Sequence, residues 1–177
     1  MSDVITIKPL TDPSEAEMLN QEFTRYGWYR QGDYFERCLQ ENREGKRVTL
    51  MAFCGEELAG CCHLIYQSKY PYFQERRIPE INDLNVFPEF RRKGIASRMF
   101  DEFERIAARE YSRIGLGVGL YEDYGNAQRM YTKRGYVLDG QGLTYKNVKV
   151  KPGESVMVDD DLVLYLIKEL DGVPKKS

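Results

Sequence analysis

The stretch from Glu80 to Arg98 limits what this chain can be more than any other. It reads EINDLNVFPEFRRKGIASR. An apolar strand pattern runs from Glu80 to Phe87 and stops at Pro88. A basic turn follows, Arg91-Arg92-Lys93-Gly94, and a long helical pattern begins at Ile95. Strand, glycine turn and helix start are the parts of an anion cradle. The first N–H groups of a helix have no intrahelical acceptor, and the helix dipole places partial positive charge there. Gly94 carries no Cβ to block a phosphate, and the three cations add full charge. Without an anion, cations in a first helical turn oppose the dipole. The turn lacks the G-x-x-x-x-G-K-[ST] spacing of a nucleotide-binding P-loop. Gly115-Leu116-Gly117-Val118-Gly119 does not have the spacing of a dinucleotide fingerprint and opens no helix.

Composition narrows the class further. A chain of 177 residues suits a single domain, 1–177, with a tail over 170–177 expected to fray. A formal net charge of −2 argues against a nucleic-acid binder. Cys38, Cys54, Cys61 and Cys62 form no C-x-x-C pair, and His63 is the sole histidine, so no metal site is expected. Buried free thiols in a reducing, cytoplasmic setting are the expectation. The beginning of the sequence has no apolar signal core, and no run approaches membrane-spanning length.

Taken in order, Val4–Ile7 reads as a strand. Asp12, Pro13 and Glu15 make a capping box, with Met18, Leu19 and Phe23 on the inner helix face. A second box, Asp33 to Glu36, opens a helix with Phe35, Cys38 and Leu39 inward. Arg47–Cys54 and Leu58–Tyr66 form a hairpin about Gly55. Residues 68–79 read as an irregular loop. The helix after Gly94 repeats Ile95, Met99, Phe103 and Ile106 on one face. Strands follow at 114–120, 136–138 and 161–169, with 143–150 extending or flanking the second. A short helix covers 125–134. The expected architecture is α/β: a mixed, mostly antiparallel sheet with helices on both faces.

A second pattern lies about thirty residues past the first, in a strand-helix-strand setting: Asn126-Ala127-x-x-Met130-Tyr131-x-x-Arg134-Gly135-Tyr136. Together with R-x-x-G-x-A at Arg91–Ala96, it resembles the paired signatures of the GNAT superfamily of N-acetyltransferases. Ala96 stands where that family most often has glycine. The resemblance implies a GNAT-like fold, splayed at an acetyl-CoA site between the strand ending at Val86 and the strand at 114–120. It implies that Arg91, Arg92, Lys93, Gly94, Ile95, Ala96 and Ser97 wrap the pyrophosphate. Asn85, Val86 and Phe87 would pair through their backbone with pantetheine, a backbone N–H near Val86 would receive the oxyanion, and Asn126 would bind the coenzyme arm. Gly117 and Gly119 would leave room for it, or simply permit tight packing. Tyr131 would protonate the leaving thiolate.

Acetyl transfer also needs a group to take the amine proton. Glu80 and Asp83 compete for that role. Strand alternation sets them on opposite faces unless a bulge intervenes, and Arg76 or Arg77 could neutralise either one. His63 reads as a core or rim residue. Trp28, Tyr29, Tyr72 and Glu80 are the acceptor-binding candidates, within a wider aromatic set of Tyr26, Tyr34, Tyr70 and Phe73. Aromatic walls with carboxylates suit a cationic or aromatic amine. The activity implied is acetyl transfer from acetyl-CoA to a primary amine of a small molecule, by direct attack in a ternary complex. A protein N-terminus or lysine as acceptor, and a non-catalytic acyl-CoA-binding module, are the alternatives. The family's frequent dimers make a homodimer an expectation for assembly.

Overall fold

The computed structural model describes residues 4–172. Eight strands and five α-helices alternate: β1 (Ile5–Pro9), α1 (Pro13–Arg25), α2 (Tyr34–Arg43), β2 (Arg47–Cys54), β3 (Glu57–Ile65), α3 (Pro71–Arg76), β4 (Glu80–Val86), α4 (Ile95–Ala107), β5 (Arg113–Gly119), α5 (Gly125–Lys133), β6 (Val137–Tyr145), β7 (Val148–Lys149) and β8 (Leu162–Glu169). Single 3-10 turns precede α4, at Pro88–Phe90, and α5, at Glu122–Tyr124. The fold is α/β with a mixed sheet. The chain forms two compact units. The first is the described chain up to Ile65 with Asn82–Phe103; the second is Tyr66–Ile81 with the described chain from Glu104 onward.

In the first unit the strand order is β1-β2-β3-β4. The β2–β3 hairpin pairs Arg47 with Ile65 and Cys54 with Glu57, and a bulge falls at Ala52/Phe53. Asp12 caps α1 as its sequence implies: its side chain accepts from the Ser14 N–H at 2.7 Å, and Glu15 answers from the Asp12 N–H at 3.2 Å. Ala16, Leu19 and Phe23 are buried on α1, whereas Met18 is exposed. Asp33 does not cap α2 with its side chain. Its backbone lies outside the extended region that a capping residue adopts, and its carboxylate instead pairs with Arg37. Phe35, Cys38 and Leu39 do point inward. Phe23 and Phe35 meet edge-on at 4.9 Å. Burial of each such ring contributes about 1.5–3 kcal/mol. On α4, Ile95, Met99, Phe100 and Phe103 are buried.

In the second unit the order is β4-β5-β8-β6-β7. Glu80 and Ile81 run parallel to Gly115 and Leu116, and the pairings of β5 with β8, β8 with β6 and β6 with β7 are antiparallel. Two regions differ from the sequence reading. Residues 68–79 hold α3, which Pro71 starts and left-handed Arg77 (φ 52°) ends. The two expected strand pieces at 136–138 and 143–150 are one irregular strand, β6, and a return, β7. Left-handed Gly140 and Gly142 sit within the register shift of β6, and the turn to β7 uses left-handed Lys146 and Asn147. The expected frayed tail lies largely outside the described residues. Leu170 itself is tied by its N–H to the Ser112 carbonyl at 2.8 Å.

Candidate active site

The cradle forms as its residue types require. The Arg98 N–H donates to the Gly94 carbonyl at 3.1 Å and closes the first turn of α4. The N–H groups of Ile95 and Ala96 precede that bond in the helical ladder. Arg92 (φ 61°) and Gly94 (φ 80°) are both left-handed, a combination that turns successive N–H groups toward a common concavity. A Cβ built on Gly94 would meet nothing within 4 Å, so the space over it is open. Arg91, Arg92 and Lys93 are exposed. Arg91 Nε donates to the Val86 carbonyl at 3.1 Å, and its guanidinium lies 5.8 Å from the Trp28 ring.

Of the three residues expected to meet pantetheine, Asn85, Val86 and Phe87, two face β3. The Phe87 N–H donates to the Ala59 carbonyl at 2.9 Å, and the Asn85 carbonyl lies against Gly60, where a Cβ would come within 2.2 Å of it. Strand alternation then sends the N–H and carbonyl of Val86 to the edge away from β3. The Phe87 ring is wholly buried and stacks on Tyr26 at 4.5 Å.

Asp83 is the centre of a polar network in the first unit. Its backbone is left-handed (φ 53°), so the simple alternation of side chains along β4 does not carry across it. Arg30 Nη2 lies 3.0 and 3.2 Å from the two carboxylate oxygens, the Tyr34 hydroxyl donates at 3.1 Å and Asn85 Nδ2 at 2.9 Å. The cation beside Asp83 is thus Arg30. Arg76, expected as a partner for one of the carboxylates, pairs with Glu75 and covers the Tyr72 ring at 3.9 Å. Behind Tyr34 stands His63, a core residue. Its Nε2 is 3.4 Å from the Tyr34 hydroxyl and its Nδ1 is 2.8 Å from Thr49 Oγ1. With the Tyr34 proton given to Asp83, His63 donates from Nε2 and accepts from Thr49 at Nδ1.

Burial, reinforced by Arg47, pushes the His63 ring down to about 3, against the pull of Asp83. Burial pushes the Asp83 carboxyl up, but Arg30 and then His63 and Asn85 outweigh it and hold the group below its ordinary value. Burial and the Asp83 charge raise the Tyr34 phenol above its usual range. Trp28 joins the Phe23–Tyr26–Phe87 cluster, while Tyr29 stands in solvent at 71 % exposure.

The second unit holds the remaining candidates. Glu80 is buried and accepts from Ser68 Oγ at 2.6 Å; Ser68 in turn accepts from the Tyr70 N–H at 3.0 Å. Tyr70 stacks on Tyr165 at 3.8 Å and donates to Asp139 at 2.7 Å. Burial and the Glu80 charge raise the Tyr165 phenol. On α5, Tyr131 is buried and meets Tyr136 edge-on at 6.3 Å. The Tyr136 hydroxyl donates to Glu104 at 3.0 Å, and Arg134 and Lys168 pair with the same carboxylate. Asn126 is exposed in the first turn of α5, one residue past its start; the helix cap is Tyr124. The space over Gly117 is filled by Val163 and Tyr165, and that over Gly119 by the Tyr124 ring. Both glycines serve tight side-chain packing.

Sequence reasoning missed Arg30 and Ser68 and left Tyr34 among the general aromatics. An arginine in an aromatic loop flanked by Gly27 and Gly32 was a signal for the first; nothing marked Ser68. Among the described residues no group of histidine, cysteine, aspartate and glutamate could hold a metal ion, and no helix is long and apolar enough to cross a membrane.

Residues 14–136 match the Acetyltransferase (GNAT) family. The chain belongs to the GNAT acetyltransferases. As a member it is an acyltransferase. No curated protein matches it. Its fold is similar to that of NAA60 from Arabidopsis thaliana in complex with acetyl-CoA (TM-score 0.68, 17 % identity, 96 % of this chain and 100 % of that one). It is similar to an aminoglycoside 6'-N-acetyltransferase complexed with coenzyme A (0.65, 18 %, 96 % and 99 %). It is also similar to the Salmonella typhimurium acetyl transferase that modifies the N-terminal serine of ribosomal protein L7/L12 (0.68, 14 %, 94 % and 95 %).

Proposed function

We propose that this GNAT acetyltransferase moves the acetyl group of acetyl-CoA to a primary amine of a small cationic molecule, by direct attack in a ternary complex. The observation that carries the reading is the turn before α4: two left-handed residues, an open space over Gly94, three exposed cations and a helix start. These are the requirements of a pyrophosphate, and they fit Arg91–Ser97 as its holders. The outward-facing Val86 N–H suits the oxyanion. Bound acetyl-CoA would supply an activated thioester.

For the amine proton we assign Glu80. It is a buried carboxylate on β4 that accepts from the Ser68 hydroxyl. Asp83 is committed to Arg30, and its lowered proton affinity makes it a weaker base than an ordinary aspartate. As the N–C bond forms and the C–S bond breaks, the leaving thiolate takes the Tyr131 phenol proton. Asn126, exposed in the first turn of α5, is a candidate for the coenzyme arm. Four buried free thiols suit a reducing compartment, so we place the enzyme in the cytoplasm.

Calorimetric titration with acetyl-CoA tests the reading. Micromolar affinity that weakens with added salt is expected. A folded protein that binds no acetyl-CoA would refute it. Release of coenzyme A with a panel of small amines, against a panel of peptides with free N-termini or lysines, then decides the acceptor class. Turnover on peptides alone would replace the small molecule by a protein.

A further inference from the structure

The segment between α1 and α2 carries Arg30 between two left-handed pivots, Gly27 (φ 70°) and Gly32 (φ 63°), each with open space where a Cβ would stand. From that segment the guanidinium reaches Asp83. It also lies 5.1 Å from the Phe23 ring and 5.9 Å from the Tyr34 ring. A carboxylate flanked by aromatic rings is how a protein recognises an organic cation. Here the cation belongs to the chain itself.

Two features separate this arrangement from an ordinary structural ion pair. First, the carboxylate does not depend on Arg30 for its position. Tyr34 and Asn85 donate to it, His63 and Thr49 stand behind Tyr34, and its left-handed backbone fixes its direction. When Arg30 leaves, Asp83 keeps two neutral donors and still lacks a positive partner. Second, the pair is within reach of solvent: the side chains are 26 % and 28 % exposed. A cation from outside can meet Asp83 as Arg30 moves aside.

We propose that Asp83, Phe23 and Tyr34 form a recognition site for a second cationic group of the acceptor, and that Arg30 is a tethered cation that fills this site until such an acceptor displaces it. The proposal rests on the amine-acetylation reading and narrows its substrate class to molecules with two amino groups. One amine, uncharged, receives the acetyl group; the other stays protonated on Asp83. A monoamine has one nitrogen for two roles: as an ammonium it can displace Arg30, but it then has none left to acetylate. Because the site is open only for the fraction of time that Arg30 is away, the apparent diamine affinity is reduced by that fraction. Occupancy of nine-tenths corresponds to about a tenfold reduction.

The test is calorimetry with 1,4-diaminobutane in saturating coenzyme A, on the wild type and on Arg30→Gln, Arg30→Lys and Asp83→Asn. Arg30→Gln is expected to raise the diamine affinity about tenfold. Arg30→Lys keeps the tethered charge but loses the planar guanidinium, and its affinity should fall between those of wild type and Arg30→Gln. Asp83→Asn should lower the affinity by about tenfold or more. An Arg30→Gln protein, folded by circular dichroism, whose diamine affinity falls or does not change overturns the proposal. Should Arg30→Gln not fold, a wild-type affinity in Asp83→Asn overturns it equally. Coenzyme A release from acetyl-CoA is followed in parallel with 1,4-diaminobutane and butylamine. The expected affinities without turnover on either amine would sink the acetylation reading and leave the cation site standing; turnover without the expected affinities would do the reverse.

Discussion

His63 makes the acid stability of this protein predictable. It is the only histidine in the chain, wholly buried, and it accepts from Thr49 while facing Tyr34. In the unfolded chain an imidazole takes a proton near pH 6.5. In the folded protein burial, then Arg47, hold that event down to about 3, with Arg30 adding to them and Asp83 opposing. The unfolded state therefore binds the proton first as pH falls. The contribution is complete above pH 6.5 and is lost between 6.5 and about 3. Each unit of pH below 6.5 costs about 1.4 kcal/mol. Between pH 7 and pH 5 the loss is about 2 kcal/mol, or about 4–8 °C in Tm for a chain of this size. The assay is urea denaturation at half-unit steps of pH on wild type and His63→Gln, whose amide can still accept from Thr49. Carboxylates enter below that window, and the difference between the two proteins cancels them. The variant is expected to start less stable and to stay level between pH 7 and 5.5, where wild type declines. A wild-type curve that is flat there, or a variant that declines in parallel, would show that His63 is protonated in the folded state and that the network around it is not as described.

Three further outcomes follow from the geometry. Gly94→Val should abolish acetyl-CoA binding in calorimetry, since a β-branched residue at φ 80° strains the turn and its side chain takes the anion's place in the cradle; unchanged affinity would remove the pyrophosphate from this turn. Tyr131→Phe should lower turnover at least tenfold with little change in acetyl-CoA affinity, measured by initial rates on the true acceptor; equal turnover would make the residue a packing element. Gly60→Ala should destabilise the protein by about 2 kcal/mol or more in denaturant titration, because its Cβ would lie 2.2 Å from the Asn85 carbonyl and β4 would have to shift.

The sequence made the elements legible wherever a local rule was strong. The Asp12 box, the Gly55 hairpin, the basic turn and the amphipathic α4 each depend on residues close to one another in the chain, and each is present. What the sequence hid was set by distance or by backbone. Six aromatic-rich residues between Ser68 and Pro79 are too few for a helical period, so α3 was invisible, although Pro71 marked its start. β6 continues through Gly140 and Gly142 because Leu143, Thr144 and Tyr145 find partners on β8, beyond the reach of local propensity. In the site, the cradle was readable from its own residues. The partner of Asp83 was not, because Arg30 lies fifty-three positions earlier and no periodic pattern connects them. The left-handed backbone at Asp83 was equally hidden, since the residue type tolerates that conformation without announcing it.

The position of Trp28 has a practical consequence. It is the only tryptophan in the chain. Its indole stands within 6 Å of the Tyr26 and Phe87 rings and of the Arg91 guanidinium. Excited at the red edge of the absorption band, the protein has a single intrinsic fluorophore, and a nearby positive charge shifts the emission of that ring. A polyanion drawing Arg91 toward itself would alter intensity and wavelength together. The protein therefore carries its own optical reporter, readable in a stopped-flow instrument on the millisecond scale and without any attached dye.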